Sequence, residues 1–375
     1  MQILLLNWRD PKNPKSGGAE YIVGELLKHR IKLGDSVTWF AMTYTGAKAE
    51  ETLDGIKVIR AGGPLTVQGS AKRWYRQHST EIDLIIDQTH GLPFFAPRWA
   101  KCPVLFYANE VAGPIAKFML PWPFGYLYQW LEPSFIRQYR DVPAVSISSS
   151  TTADLRQFGY RALIVTLPLA CDTKPLAKLP ALATKEKELT LIFAARLVPL
   201  KRPDHALQTL QQVVKEVPEA KLWILGSGVK MYEQYLQRLA ERLGILKQVK
   251  FWGFVSTDQK KELMQRAHLV LITSIKEGWG LTVPEANALG TVGVTYNIAG
   301  VRDSNLHNQT GLLSKSNNPA ALAESVVELW QNPTKYARLR QQAWEVSQTR
   351  TWDKTEAALD RAINNVVNST NEKDT

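Results

Sequence analysis

The stretch that most constrains this chain runs from His268 to Gly290. His268-Leu-Val-Leu-Ile272 reads as a short buried strand, Lys276-Glu-Gly-Trp-Gly280 as a glycine-rich loop, and Val283 to Leu289 as a helix with Pro284 in its first turn. Such a loop aims backbone N–H groups at whatever sits above the helix start, a natural place for an anion such as a diphosphate. Glu277 does not suit that purpose alone, because a carboxylate beside a phosphate is repulsive; a neutral, hydroxyl-rich group fits it better. Glu285, two turns further on, suits a second set of hydroxyls. Two carboxylates flanking an anion-binding helix start therefore suggest a nucleotide-sugar, with the sugar at one and the ribose at the other. The competing account makes Glu277 a solvated loop residue and Glu285 a first-turn acid favoured by the helix dipole.

The spacing Glu-x7-Glu within Glu277-Gly-Trp-Gly-Leu-Thr-Val-Pro-Glu285-Ala resembles the motif of retaining glycosyltransferases of family 4, which have the two-domain GT-B fold. The rest of the chain agrees with the resemblance. At 375 residues it exceeds the usual size of one hydrophobic core, so two domains are expected. Lys plus Arg number 46 against 35 acids, a balance of +11 that favours an anionic partner: a phosphate-bearing ligand, nucleic acid or an acidic membrane face. Cys102 and Cys171 are too few for a disulfide framework and agree with a reducing compartment. No Cys/His cluster suggests a metal site. The opening Met1-Gln-Ile-Leu-Leu-Leu6 reads as a first strand and not as a leader, and no run reaches the roughly 18 apolar residues of a spanning helix. If a membrane is involved, the protein is expected to lie on it.

In chain order, strand 2–6 leads through Asn7–Gly18 to a helix with Ile22, Val23, Leu26, Leu27 and Ile31 at helical spacing. Gly17 and Gly18 at the junction let the backbone approach a ligand, or simply form a tight turn. The resemblance assigns them to the border of the donor phosphates. Strands follow near 36–41 and 56–60. Lys72, Arg73 and Arg76 then lie on neighbouring faces of a helix beside Trp74 and Tyr75, with no acid from Lys57 to Gln77. A basic, aromatic helix suits an anionic lipid surface; core packing of the aromatics under solvated charges explains the same residues. Strand 81–87 leads to His90, a loop histidine within reach of a ligand. Strand 103–106 ends near Asn109, at the place where similar enzymes usually carry a His that touches the donor hexose. Residues 117–135 are crowded with aromatics, as in a greasy acceptor groove, a membrane-facing ledge or a packed helix.

Residues 173–188, with two prolines and several lysines, read as a linker between domains 1–172 and 189–351. Beyond it, Ala195-Arg196-Leu-Val-Pro-Leu-Lys201 resembles the family's Gly-Arg-Leu-x-x-x-Lys motif, with Ala195 in place of its Gly; the Arg196 and Lys201 cations suit a diphosphate clamp. Gly226-Ser-Gly228 lacks the third glycine of a dinucleotide fingerprint. The loop holding Val255 lies, in similar enzymes, against the nucleotide base. Residues 352–375 are expected to form a helix that returns to the N-terminal domain and frays over its last positions.

The expected fold is thus α/β, two facing Rossmann-like, doubly wound domains with the active site in the cleft. The resemblance implies transfer of a hexose-type sugar from a nucleotide diphosphate sugar to an acceptor hydroxyl, without metal or other cofactor and with retention of anomeric configuration. It places Arg196, Lys201 and Glu277 in catalysis. Gly17, Gly18, Asn109, Val255, Gly280, Leu281, Thr282 and Glu285 would hold the donor. Lys72, Arg73, Trp74 and Arg76 would form a membrane or acceptor surface. A lipid-linked or polysaccharide acceptor and a cytoplasmic setting, peripheral on the inner membrane face, are expected; nucleic acid is not. A sugar-nucleotide epimerase or hydrolase, and a silent binding protein, remain open beside this reading.

Overall fold

Parallel strands cannot be joined by tight turns, so nearly every strand here is followed by a crossover through a helix or a long connection. The computed structural model describes residues 1–89 and 91–371. His90 and positions 372–375 of the expected frayed end lie outside the described residues. The chain divides into one unit of Met1–Leu169 with Trp352–Thr375 and a second of Ala170–Thr351.

The first unit is built on an eight-stranded sheet of order β3-β4-β2-β1-β5-β6-β7-β8. The strands are β1 (Gln2–Leu6), β2 (Ser36–Ala41), β3 (Glu50–Leu53), β4 (Ile56–Arg60), β5 (Leu84–Thr89), β6 (Val104–Ala108), β7 (Ala144–Ser146) and β8 (Ile164–Thr166). All pair in parallel except β3 with β4, a hairpin the sequence reading did not anticipate. Its signal was the pair Asp54-Gly55, both at positive φ (49° and 85°), the backbone that a two-residue hairpin turn requires. The helices are α1 (Gly18–Lys32), α2 (Val67–His78), α3 (Ala116–Met119), α4 (Phe124–Arg137) and α5 (Ser149–Gln157).

Right-handed crossovers put α1, which steps from β1 towards β2, on one face of this sheet, and α2, α4 and α5, which step the other way, on the opposite face. Packing agrees: Val67, Ala71 and Tyr75 of α2 bury against Leu4, Leu6, Phe40 and Ile85, and Ile136 of α4 against Phe106 and Ala108. Two buried carboxylates pin the long connections of this unit. Asp10 receives Arg60 from the end of β4 through two 2.7 Å hydrogen bonds, both side chains being fully buried. Asp87, at the end of β5, accepts from the amides of Phe94 (3.2 Å) and Ala96 (3.0 Å) and from the Tyr139 hydroxyl (2.5 Å). Burial pushes its carboxyl up to about 6, the Tyr139 hydroxyl opposing that shift.

The second unit carries a six-stranded, wholly parallel sheet of order β11-β10-β9-β12-β13-β14. The strands are β9 (Thr190–Ala194), β10 (Lys221–Leu225), β11 (Val249–Gly253), β12 (Leu269–Ile272), β13 (Val292–Thr295) and β14 (Gly311–Leu313). Helices α6 (Pro203–Glu216), α7 (Lys230–Arg242), α8 (Thr257–Arg266), α9 (Thr282–Ala288), α10 (Val301–Ser304), α11 (Pro319–Trp330) and α12 (Pro333–Thr349) cover it. Strand order reverses between β9 and β12, so the helices that follow them, α6 and α9, step to opposite faces of the sheet.

One segment differs from a simple two-domain-and-linker reading, and another lies in the unit expected for it. Residues 173–188 are laced into the second unit. Leu176 N donates to Ala288 O (3.1 Å), Arg340 donates to Pro180 O (2.5 Å), and the Lys185 ammonium donates to Ala267 O and Thr291 Oγ1 (both 2.7 Å). The closing helix α13 (Trp352–Asn371) belongs to the first unit, where Asp360 accepts from Arg30 (2.7 Å) and pairs with His29 (2.9 Å) of α1.

Asp10→Ala leaves the Arg60 guanidinium buried with half its partners gone, and is expected to cost about 3–5 kcal/mol, whereas surface Asp141→Ala changes stability by under about 0.5 kcal/mol; denaturant unfolding compares them. Tyr139→Phe is expected to raise the Asp87 pKa further. Since a raised folded-state pKa gives stability that is lost as pH rises through it, the variant should lose more stability than the parent between about pH 4 and 7, as read by urea midpoints across that range.

Candidate functional site

The carboxyl end of the second unit's sheet is shaped by backbone meeting backbone. After β9 the chain stays extended through Ala195-Arg196-Leu197 beside residues 226–228, with Ala195 N donating to Leu225 O (3.1 Å) and Leu197 N to Ser227 O (2.9 Å). A Cβ on Gly226 would stand 1.9 Å from the Ala195 carbonyl oxygen, and one on Gly228 2.2 Å from that of Leu197. These two glycines are therefore explained by close packing against the loop that carries Arg196. The chain then makes a 3-10 turn over Pro199–Lys201 and enters α6 through Arg202, a non-glycine residue held in the left-handed region at φ 48°.

That strained turn is fastened by the loop after β12. Thr273 Oγ1 donates to the carbonyls of Lys201 (3.0 Å) and Arg202 (2.7 Å), and Ile275 N to Leu200 O (3.0 Å). The fastening delivers Lys201 to Glu277: its Nζ stands 2.6 Å from both carboxylate oxygens, and Ser274 Oγ donates to Oε1 at 2.6 Å. A third loop closes on the same place. Gly300 (φ 79°) sits where a Cβ would be 2.2 Å from the Glu277 carbonyl oxygen.

From Glu277 the chain passes Gly280, at φ 76°, into α9, whose first amides at Leu281 and Thr282 have no preceding helical carbonyl to bind. Thr282 Oγ1 donates to Ala194 O (3.3 Å), tying that helix start to the end of β9. One turn on, Glu285 pairs with Lys260 of α8 at 2.8 Å. Burial pushes the nearby Cys171 thiol up to about 11, and the Glu285 charge adds to the shift. Behind the loop the Arg350 guanidinium lies over the Trp279 ring at 5.5 Å and donates to Ser304 O (2.9 Å), its pKa lowered by burial.

The structure thus brings Lys201, Glu277, Gly280, Leu281, Thr282 and Glu285 to one end of one sheet. Arg196 is exposed on the neighbouring loop, and Val255 sits half-buried at the margin of the core just before α8. Sequence reading missed Thr273, Ser274, Lys260, Gly300 and Arg350. Only Thr273-Ser274, two hydroxyls between a strand end and a candidate acid, left any trace in the sequence.

In the first unit, Gly17 caps α1 at φ −153°, its amide donating to Glu20 Oε2 (2.8 Å). Neither its backbone nor its packing demands glycine, since a Cβ would make only an ordinary 3.9 Å contact. Gly17 and Gly18 are both exposed at that helix start. Asn109 is buried at the end of β6, and its Nδ2 donates to Thr89 O (3.0 Å), joining the ends of β5 and β6. Lys72, Arg73 and Arg76 point outward or lie half-exposed, but Trp74 does not join them at the surface: it is half-buried, stacked on His78 at 4.1 Å and tilted against Phe40 at 6.1 Å. Among the described residues no group of three or more His, Cys, Asp or Glu side chains stands together as a metal site.

Comparison with known proteins meets this geometry at both units. Residues 16–174 match the family model described as Glycosyltransferase Family 4, and residues 177–346 that described as Glycosyl transferases group 1. A D-inositol 3-phosphate glycosyltransferase of Streptomyces scabiei is 31% identical over 185 residues, 47% of this chain and 41% of the relative. This chain therefore matches only about two fifths of the length of the curated relatives. Among solved structures, a sucrose-phosphate synthase from Thermosynechococcus elongatus superposes with a TM-score of 0.80 at 16% identity, over 98% of this chain and 99% of that one. Anabaena HepE in complex with UDP and glucose does so with a TM-score of 0.71 at 19% identity, over 98% and 100%.

Gly300→Ala is expected to displace the Glu277 loop and cost at least about 1–3 kcal/mol, because both the positive φ and the Glu277 carbonyl oppose a Cβ. Gly63→Ala, with open space around it, should stay within about 0.5 kcal/mol of the parent; thermal unfolding of both variants checks the contrast.

Proposed function

Because this chain belongs to family 4 of the GT-B glycosyltransferases, we propose that it moves a hexose-type sugar from a nucleoside diphosphate sugar to an acceptor hydroxyl with retention at the anomeric carbon, in the synthesis of a cell-surface polysaccharide or glycolipid. The observation that carries the proposal is the Lys201–Glu277–Ser274 cluster beside the open start of α9, at the strand-order reversal of the second unit. Charge separates there into a part suited to phosphate and a part suited to hydroxyls.

As the bond between the anomeric carbon and the diphosphate oxygen lengthens, positive charge grows on the sugar and negative charge on the leaving oxygens. The largest contribution to rate comes from groups already aimed at that negative charge. Arg196, Lys201 and the amides of Gly280, Leu281 and Thr282 fill this role. Lys201 pairs with Glu277, and its flexible stem lets the ammonium reach a diphosphate as well. The Glu277 carboxylate, held by Ser274, is then free to accept from sugar hydroxyls, and Glu285 from the ribose. The acceptor oxygen bonds to the anomeric carbon on the face the diphosphate leaves, and its proton passes to the leaving phosphate oxygen. No side chain is required as a nucleophile.

UDP, the nucleotide held by Anabaena HepE, heads the panel of nucleotide sugars that tests this, each incubated with and without a membrane lipid extract while nucleotide release and product mass are followed. Donor consumed without any acceptor would favour a hydrolase or epimerase instead. Glu277→Ala is expected to lower kcat by about 10²–10³-fold with unchanged unfolding temperature; turnover preserved in that variant removes Glu277 from the mechanism. Ser274→Ala, which loses one charge-assisted hydrogen bond, should lower kcat by roughly tenfold.

A further inference from the structure

We propose that the face of the first unit's sheet bearing α2 and the α3–α4 hairpin is a docking surface for an anionic lipid bilayer. Two segments distant in sequence, 67–78 and 116–137, lie on this one face because their crossovers step in the same direction along the sheet. Residues between them join the two: Trp99 packs on Tyr75 of α2 (ring centroids 5.2 Å), and Phe95 packs on Phe135 of α4 (5.8 Å).

The hairpin carries an apolar ridge that the protein leaves uncovered. Trp122 is 82% and Trp130 76% exposed, with Phe118, Phe124, Tyr126 and Leu127 beside them, also exposed. Scattered apolar residues on a surface need no explanation, but contiguous ones mark a contact. Trp and Tyr in particular suit the headgroup level of a bilayer, where an apolar ring and a polar edge are both satisfied.

Charge decides between a lipid surface and a protein partner. From residue 111 to residue 131 the only ionisable charge is Lys117, whose ammonium lies 5.0 Å from the Tyr126 ring centre. The one acid of α4, Glu132, is buried and accepts from the amides of Ala112 (2.6 Å) and Gly113 (2.7 Å), so its charge is withdrawn from the surface. On the same face Arg73 and Arg76 of α2 and Arg137 at the end of α4 are exposed, and exposed Arg98 lies over the Phe95 ring at 5.5 Å. An uncovered aromatic ridge on a face that also carries these cations matches an anionic headgroup layer over an apolar interior. Among the described residues no helix is long and apolar enough to cross a membrane, so the contact is peripheral.

The test is sedimentation of the full chain with vesicles of pure phosphatidylcholine or of phosphatidylcholine with phosphatidylglycerol. Brominated-lipid quenching of Trp fluorescence runs alongside it. Binding to the anionic vesicles alone is expected, weakened by raised salt. Reversal of Arg73 and Arg76 to Glu should lower the partition coefficient by about fivefold or more per residue. Trp122→Ser with Trp130→Ser should lower it by about tenfold or more and remove most of the quenching. Circular dichroism melting identical to the parent shows that both variants fold. Equal binding to neutral and anionic vesicles, no binding at all, or binding unchanged in both variants overturns the proposal. So does a dimer in analytical ultracentrifugation that the Trp variant abolishes, since a second copy would then be the occupant.

Discussion

The candidate site depends on main chain approaching main chain more closely than any Cβ permits. Gly226, Gly228 and Gly300 each face a carbonyl oxygen at a distance that only a missing side chain allows. Three loops from the carboxyl ends of β9, β10 and β13 are thereby locked to one another and to the loop after β12. Thr273 completes the lock by holding two consecutive carbonyls of the turn before α6. The ion pair of Lys201 with Glu277 is a consequence of this framework, since neither residue's own loop is long enough to choose its geometry alone.

Acids of the first unit are used differently. Asp10, Asp87 and Glu132 are turned inward to receive a guanidinium, amides or a hydroxyl, and each fixes a connection that has no regular structure of its own. Burial of a carboxylate is costly unless its acceptors are filled, so these contacts specify where each loop must lie. The same inward turn strips negative charge from the α3–α4 side of the unit. The exposed side chains of α4 are thereby left without an acid, which links a packing requirement in the core to the electrostatic character of one surface.

Periodicity and turn chemistry made most of the fold legible. The alternation of short apolar runs with amphipathic helices was readable at β1, β2, β9 and β12 and at α1 and α6, because a strand buried on both faces has to be apolar throughout. The β3–β4 hairpin escaped because β3, Glu50-Glu-Thr-Leu53, is polar and lies at a sheet edge. Residues 173–188 read as a connector because prolines and lysines obscure periodicity. Their anchoring is made by single groups, Lys185 and the carbonyls of Leu176 and Pro180, to partners more than 80 residues away.

The sequence by itself determined the β-α order, the glycine-rich loop before α9 and the residue types of the site, because these follow from spacing along a few turns of chain. It determined too that Glu277 and Glu285 would flank a helix start. Only the tertiary structure decided that Lys201 lies on Glu277, that Ser274 and Gly300 fix that carboxylate, and that Lys260 answers Glu285. It also decided that Trp74 packs inward while Trp122 and Trp130 stay uncovered. An aromatic residue on a helix has the same local pattern whether its face meets the sheet or the solvent, and contacts between distant loops leave no periodic trace. Those choices are made by which strands become neighbours, a property of the whole chain.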